Sequence, residues 1–128
     1  MKDDRKISAL IIEGEEAVAE AITRVLKARS YSVTVAARQD EALVLLRDKD
    51  FHLAFVGESE GNLSVFHTME GVVKASPMTA MILVTDLPEG EVEDRAEGYG
   101  ILGSIGRSVP GDRLARLLVN LEKILGRL

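Results

Sequence analysis

Five short apolar runs alternate with five longer segments of helical periodicity, and this alternation limits the fold more than any other feature of the chain. The first run, ISALII, is continuous, which is typical of a strand buried on both faces. The second, YSVTVAA, alternates and is rich in β-branched residues. The alternation predicts a parallel sheet wrapped by helices on both faces. The predicted strands are residues 7–12, 31–37, 52–56, 79–85 and 100–106.

The segments between these runs carry apolar residues at helical spacing. Residues 111–128 have the clearest pattern, whereas residues 87–100 hold few apolar side chains and are interrupted by Gly90. Asp40 is predicted to cap the second helix, and Pro88 suits the first position of the fourth. The predicted helices are residues 15–29, 40–50, 63–75, 87–100 and 111–128. The apolar stripe of the last helix comprises Leu114, Leu117, Leu118, Leu121, Ile124, Leu125 and Leu128.

Composition restricts the class of protein. The 128 residues suit one domain, 1–128, with a core from about residue 7 to residue 125. The net charge is −5 and the 16 Lys and Arg residues are scattered, so we expect no direct contact with nucleic acid. There is no cysteine and no apolar run that could span a bilayer, and the start, MKDDRK, lacks the long apolar segment expected of a signal peptide. We therefore expect a cytoplasmic protein.

Right-handed crossovers place the loops that follow the strands at one edge of the sheet. In open α/β sheets this carboxyl edge is where ligands bind. The third strand runs directly into GESEGN, so the first residue at this edge, Gly57, has no side chain. The other loops at the edge are EGEE (13–16), TDLPEG (85–90) and GRSVPG (106–111).

Several stretches resemble the receiver domain of two-component response regulators, over nearly the whole chain. ALIIEGEE is similar to the first strand of that family, which ends in paired acids, and HLAFVG to the third strand, which ends in the phospho-acceptor. MILVTD resembles the strand that ends in a switch Thr or Ser. GSIGRSVPGDRL resembles the segment that carries a Lys-Pro pair before the last helix. The resemblance implies a CheY-like, flavodoxin-like (βα)5 sandwich of three layers, α/β/α, with strand order 2-1-3-4-5.

The resemblance also implies where the phosphorelay machinery would lie. A receiver accepts a phosphoryl group on an aspartate with the help of Mg²⁺ held by oxygen ligands. The acceptor position falls on Gly57, and the paired acids fall on Glu13 and Gly14. The hydroxyl position falls on Thr85 and is kept, while the lysine position falls on Arg107, whose cation is a broader planar fork.

Other family positions are also substituted. The aromatic switch position falls on Ser104, the proline on Ser108, and the small residue after the hydroxyl on Asp86. Glu58 is adjacent to the acceptor position, but one step along a strand aims its side chain at another face.

These substitutions predict a degenerate receiver, or pseudo-receiver, that is not phosphorylated at the usual site. Gly57 offers no nucleophile, and two of the three usual carboxylates are missing, so we expect weak or absent Mg²⁺ binding, no cofactor and no catalytic residue. The change Gly57→Asp alone is not expected to restore phosphorylation, because Gly14 would still withhold a magnesium ligand.

Individual residues at the carboxyl edge leave alternatives open. Glu13 is either a residual metal ligand or, as we favour, a solvated carboxylate. Thr85 either binds an anion together with Arg107 or, the favoured case, hydrogen-bonds the neighbouring loop. Arg107 either pairs with Glu13 or Asp86, which would fill the pocket, or lies among carboxylates that form an acidic patch able to attract cations. The carboxylates of that patch would be Glu13, Glu58 and Asp86.

Three functions follow from the sequence. The favoured one is a signalling module that binds a protein partner, such as an output domain or a second copy, through residues 87–125. Leu121 or Leu128, if they extend beyond the sheet, would support such a dimer. The alternative is a small-ligand or anion sensor around Thr85 and Arg107, in space opened by the missing aspartate at Gly57. An enzyme of flavodoxin-like fold is the weakest, because no nucleotide fingerprint or metal cluster is present.

Overall fold

The computed structural model describes residues 6–61 and 64–127, which form five parallel strands and five helices in strict alternation. The sheet has the order β2-β1-β3-β4-β5, as expected. The strands are β1 (Ser8–Ile12), β2 (Ser32–Ala36), β3 (Leu53–Val56), β4 (Ala80–Val84) and β5 (Gly103–Ile105). The helices are α1 (Glu16–Ala28), α2 (Gln39–Asp48), α3 (Val65–Ala75), α4 (Glu89–Ala96) and α5 (Gly111–Ile124).

Side chains that alternate along the central strands form two cores, one on each face of the sheet. Along β1, Ile11 joins the core beneath α1 and α5, whereas Leu10 joins the core beneath α2, α3 and α4. Both side chains are fully buried, as are those of Leu53 and Ala54 in β3. This explains the continuous apolar runs of the sequence, because strands covered on both faces have no polar side.

The ends of two helices differ from the sequence predictions. The prediction that Asp40 caps α2 was wrong: Arg38 is the capping residue, and Asp40 lies in the first turn, where it accepts a hydrogen bond from the Glu41 amide at 2.9 Å. Pro88 precedes the first residue of α4 as its cap rather than occupying that position. Helix α4 is also shorter than predicted. Its buried residues, Val92 and Ala96, join the core, and the Arg95 guanidinium lies 4.1 Å from the centre of the core Phe66 ring.

Helix α5 buries most of its apolar stripe, but not all of it. Leu121 is 2% exposed, so it belongs to the core with most of the stripe rather than extending beyond the sheet. Ile124 instead faces solvent, with 71% of its surface exposed, and Leu128 lies outside the described residues. No helix within residues 6–61 and 64–127 is long and apolar enough to cross a membrane.

A partly buried ionic network, which the sequence did not indicate, ties α5 to the segment between α1 and β2. Arg29 donates to both carboxylate oxygens of Glu122, at 2.6 and 3.0 Å, and the Tyr31 hydroxyl donates to Glu122 Oε2 at 2.8 Å. The hydrogen bonds from Arg29 hold the pKa of Glu122 below its ordinary value, although burial opposes this. Burial, followed by the hydrogen bond to Glu122, raises the pKa of Tyr31.

Helix α1 ends in a left-handed turn at Ser30. The backbone φ of Ser30 is +67°, and the amide of Tyr31 donates to the carbonyl of Leu26 at 3.0 Å. This is the arrangement in which glycine is usually found, because a side chain strains the left-handed conformation.

Candidate functional site

Backbone hydrogen bonds gather the loops at the carboxyl edge of the sheet. The amide of Gly57, just after β3, donates to the carbonyl of Ile12 at the end of β1 (2.9 Å), and the amide of Gly14 donates to Glu58 (2.8 Å). The amide of Thr85, just after β4, donates to Ile105 at the end of β5 (2.9 Å). The loops after four strands therefore meet in one cluster, as the parallel topology predicts.

At the centre of this cluster, Arg107 and Glu13 form a bidentate ion pair. Arg107 Nη1 donates to Glu13 Oε1 at 3.0 Å, and Nη2 donates to Oε2 at 2.6 Å. The Glu13 side chain is 1% exposed and that of Arg107 is 11% exposed. Of the two partners that the sequence left open for the Arg107 side chain, Glu13 is the one that it contacts.

Backbone amides complete the environment of the Glu13 carboxylate. The amide of Glu15 donates to Oε2 at 2.9 Å, and the amide of Glu58 donates to Oε1 at 3.2 Å. The prediction of a solvated Glu13 was therefore wrong. Four hydrogen bonds, two of them from a cation, offset the cost of removing this carboxylate from water. In turn, the hydrogen bonds from Arg107 to Glu13 raise the pKa of Arg107 despite its burial.

Two further carboxylates face the same guanidinium from the solvent side. Glu15 Oε2 lies 3.3 Å from Arg107 Nη2, and Glu58 Oε1 lies 3.7 Å from Nε. The prediction that the Glu58 side chain points to another face was wrong, because its carboxylate reaches the cluster. Both groups are more than half exposed. They surround Arg107 with negative charge at the rim, whereas Glu13 contacts it from inside.

The Glu13 carboxylate fills the space beside Gly57. A Cβ atom built on Gly57 would overlap Glu13 Oε1 and lie 3.1 Å from Glu13 Cδ. The backbone of Gly57 is not in the left-handed region. Glycine is required here because a side chain would not fit beside Glu13. The expectation that the missing aspartate opens room for a ligand at Gly57 was therefore wrong.

Gly14 is confined in a similar way by the loop after β3. A Cβ atom at this position would lie 3.1 Å from both Cγ and the amide nitrogen of Glu60, and 3.3 Å from the carbonyl oxygen of Glu58. These distances are tighter than ordinary van der Waals contacts. The loop after β3 therefore packs directly against Gly14, and a larger side chain at residue 14 would displace this loop.

Thr85 and Asp86 bind neighbouring backbone. The hydroxyl of Thr85 accepts a hydrogen bond from the amide of Leu87 at 3.2 Å, which is the contact with the neighbouring loop that we favoured. Asp86 Oδ1 accepts from the backbone amide of Arg107 at 2.8 Å. Asp86 thus positions the backbone of Arg107, while Glu13 holds its side chain.

Ser104 lies apart from this cluster, in a groove between α4 and β5. Val92, Leu102 and Arg113 line the same groove, whose volume is about 380 Å³. Arg113 closes one side: its Nε donates to the Ser104 carbonyl at 2.7 Å, and its Nη2 lies 3.4 Å from Glu89. The sequence did not single out Arg113, because nothing distinguishes it there from the other polar residues of an amphipathic helix.

The arrangement around Glu13 does not fit a Mg²⁺ ion of the kind that the receiver resemblance implies. Such an ion binds carboxylate oxygens. Both oxygens of Glu13 already accept two hydrogen bonds each, and a guanidinium occupies the adjoining position. No cluster of three or more His, Asp or Glu side chains suited to a metal ion occurs in the described part of the chain.

Several solved structures similar to this one are receiver domains. A CheY-like receiver domain from Methanospirillum hungatei superimposes with a TM-score of 0.79 at 22% identity, over 93% of this chain and 96% of that one. Chemotaxis protein CheY4 of Vibrio cholerae gives a TM-score of 0.79 at 16% identity, over 91% and 99% of the two chains. The chain has the receiver fold.

Another similar structure contains a phosphorylated aspartate. It is a response regulator from Burkholderia pseudomallei with a phosphorylated aspartic acid, a calcium ion and citrate. Its TM-score is 0.75 at 24% identity, over 95% of this chain and 72% of that one. Scans against protein-family models and curated proteins find no match to the chain. The likeness therefore rests on structure, at identities that establish the receiver fold alone.

Proposed function

We propose that this chain is a receiver-like signalling domain that works without phosphorylation at residue 57 and acts by binding protein through residues 87–125. The observation that carries the proposal is the Glu13–Arg107 pair, which fills the space beside Gly57. An acyl phosphate needs a carboxylate nucleophile, and Gly57 supplies none. In this proposal Gly57, Glu13 and Gly14 are the vestigial acceptor and acidic-pair positions.

The ion pair supports a role that does not depend on a phosphoryl group. In the receiver mechanism, a cation and a hydroxyl contact the phosphoryl oxygens and couple them to the face around α4 and β5. Here Arg107 contacts Glu13, and Asp86 holds the Arg107 backbone. The loop between β5 and α5 is thereby fixed by groups within the chain. We infer that one conformation of this loop persists, whatever the state of a kinase.

The surface of residues 87–125 has the charge pattern of a face that pairs with itself. Helix α4 presents mainly acidic side chains to solvent, whereas the exposed cations of α5 include Arg116 and Lys123. Residues 87–125 also include two exposed apolar side chains, Leu87 and Ile124. A two-fold axis that set α4 of one copy against α5 of another would bring opposite charges together. The pattern therefore favours a second copy of the chain as the partner.

The alternative of an anion sensor at Thr85 and Arg107 has less support. An anion would have to compete with Glu13 for both Nη atoms of Arg107, and the Thr85 hydroxyl already accepts from Leu87. A buried pair that loses one partner leaves an uncompensated charge, which is costly. No observation in the described residues favours this second function.

Two measurements test the proposal. Incubation with acetyl phosphate and Mg²⁺ should leave the intact mass of the protein unchanged. Sedimentation equilibrium should reveal self-association that Arg116→Glu weakens and that Arg47→Glu, an exposed charge reversal on α2, does not. A phosphoryl adduct would contradict the first part, and equal behaviour of the two variants would contradict the second.

A further inference from the structure

The outer edge of β2 offers unpaired backbone groups. β2 is the terminal strand of the sheet. The Ser32 amide donates to Ile7 and the Ala36 carbonyl accepts from Glu13, so alternate residues of β2 bond inward to β1. This leaves the amides and carbonyls of Val33 and Val35 at the free edge. The strand sequence, SVTVA, contains neither a charge nor a proline, the usual protection of such edges.

A groove of about 720 Å³ lies beside this edge, between α1 and β2. Its floor includes Val35 and Ala37, and its α1 wall includes Ala19 and Thr23. Helix α1 leaves Val35 49% exposed. An apolar side chain placed in the groove would cover Val35 while its backbone lay along the free edge.

Carboxylates on the walls of the groove determine the charge of what can bind. Glu16 and Glu20 lie one turn apart on α1, and Glu60 lies opposite them in the loop after β3. Within the described residues, none of these three side chains forms a hydrogen bond or an ion pair. One cation, Arg24, lines the groove with them. Negative charge therefore predominates beside the apolar floor and the free edge.

We propose that this groove receives an extended basic segment of a partner protein, which adds as an extra strand to β2. Main-chain hydrogen bonds to Val33 and Val35 would supply affinity, and alternate side chains would supply specificity. Cationic residues would face Glu16, Glu20 and Glu60, and an aliphatic residue would cover Val35. This surface is separate from residues 87–125, because β2 and β5 are opposite edges of the sheet.

The same charges argue against pairing between two copies of the chain at this edge. Two β2 strands side by side would bring both sets of carboxylates into one interface, where like charges destabilise pairing. A polyanion such as nucleic acid is disfavoured for the same reason.

The test uses a short peptide of the repeat Lys-Ser-Val-Ser (the Lys–Val peptide), in which the Lys and Val side chains share one face of an extended strand. Its Glu-Ser-Val-Ser counterpart (the Glu–Val peptide) is the control, and each is titrated into the ¹⁵N-labelled protein. The Lys–Val peptide should give saturable amide shifts confined to residues 16–24, 32–37 and 60, and the Glu–Val peptide should give none. The double variant Glu16→Gln, Glu20→Gln should weaken binding about fivefold, the effect of losing two exposed ion pairs. The matched variant Glu91→Gln, Glu93→Gln on α4 should leave binding unchanged.

A Lys–Val peptide methylated at alternate backbone nitrogens separates strand addition from simple charge attraction. Its charge is unchanged, but it cannot donate to the edge of β2, so it should not bind. The proposal is overturned if the methylated peptide binds as well as the parent, if the shifts lie on α4, if the two double variants behave alike, or if the Lys–Val peptide gives no saturable shift.

Discussion

Glu13 Oε1 occupies the position at which a side chain on residue 57 would begin. The two residues follow neighbouring strands, and the amide of Gly57 bonds to Ile12, the residue before Glu13. The absence of a side chain at residue 57 allows a long carboxylate at residue 13 to lie inward and meet Arg107. The glycine and the glutamate thus act together. In the proposed function, this pairing is the feature that separates the chain from a receiver that accepts a phosphoryl group.

The coupling between Glu13 and Arg107 should be measurable as a stability effect. We expect Arg107→Ala to lower the free energy of unfolding by about 3 kcal/mol, because it leaves a buried carboxylate without its cation. Glu13→Ala should cost less, since Glu15 and Glu58 remain near the guanidinium. The double variant should fall short of the sum of the two by about 2 kcal/mol. The free energies of unfolding would be measured by urea titration. If the losses of the two single variants add up to the loss of the double variant, the ion pair makes no specific contribution to stability.

The steric relation between Gly57 and Glu13 gives a second test. Gly57→Ala should cost about 2 kcal/mol, because the new methyl group displaces a hydrogen-bonded carboxylate. Most of this cost should vanish in the Glu13→Ala background, which removes the clash. Gly90→Ala is the matched control. A Cβ there meets open space within a helix, so this change should stabilise the protein by roughly 0.5–1 kcal/mol. A Gly57→Ala cost that does not depend on residue 13 would refute the steric account.

The network of Arg29, Tyr31 and Glu122 predicts a loss of stability in acid. The pKa of Glu122 is lower in the folded protein than its ordinary value of 4.5. Its carboxylate therefore stabilises the fold fully above pH 4.5, and this contribution is lost as the pH falls through the folded-state pKa. Glu122→Gln should cost about 2 kcal/mol at neutral pH and flatten the dependence below pH 4.5. The control Glu91→Gln, which removes an exposed pair with Arg95, should change stability by less than about 0.5 kcal/mol.

The left-handed turn at Ser30 predicts a stabilising substitution. Ser30→Gly should raise the free energy of unfolding by about 1 kcal/mol, because glycine adopts this φ without strain. Thermal unfolding would detect the increase. A lower melting temperature would show that the serine side chain stabilises the fold by more than the left-handed backbone conformation destabilises it.

The order and type of the elements could be predicted from sequence because they depend on local patterns. Hydrophobic periodicity placed all five strands to within a few residues, since each strand of a parallel sheet is covered on both faces. Helix ends were less certain. Asp40 has the chemistry of a cap, but its position relative to Arg38 depends on backbone angles that composition does not reveal.

The candidate site was only partly predictable, because its contacts join residues far apart in sequence. The chemistry of a lone arginine among acids left an internal ion pair and an acidic patch both open, and Glu13 was one of two candidate partners for the pair. The burial of the Glu13 carboxylate could not be predicted, because it depends on Arg107, 94 residues away, and on the amide of Glu58. Nothing in the local sequence linked Arg29 to Glu122, because helical spacing does not report which helices pack together.

The most direct test of the central claim is an NMR titration with Mg²⁺ and beryllofluoride, a mimic of the aspartyl phosphoryl group. The amides of residues 13–16, 57 and 85 should show no saturable shift at any concentration at which a receiver that retains its acceptor aspartate responds. Saturable shifts at these amides would contradict the claim, because they would mean that the pocket filled by Glu13 and Arg107 still binds a metal and a phosphoryl group.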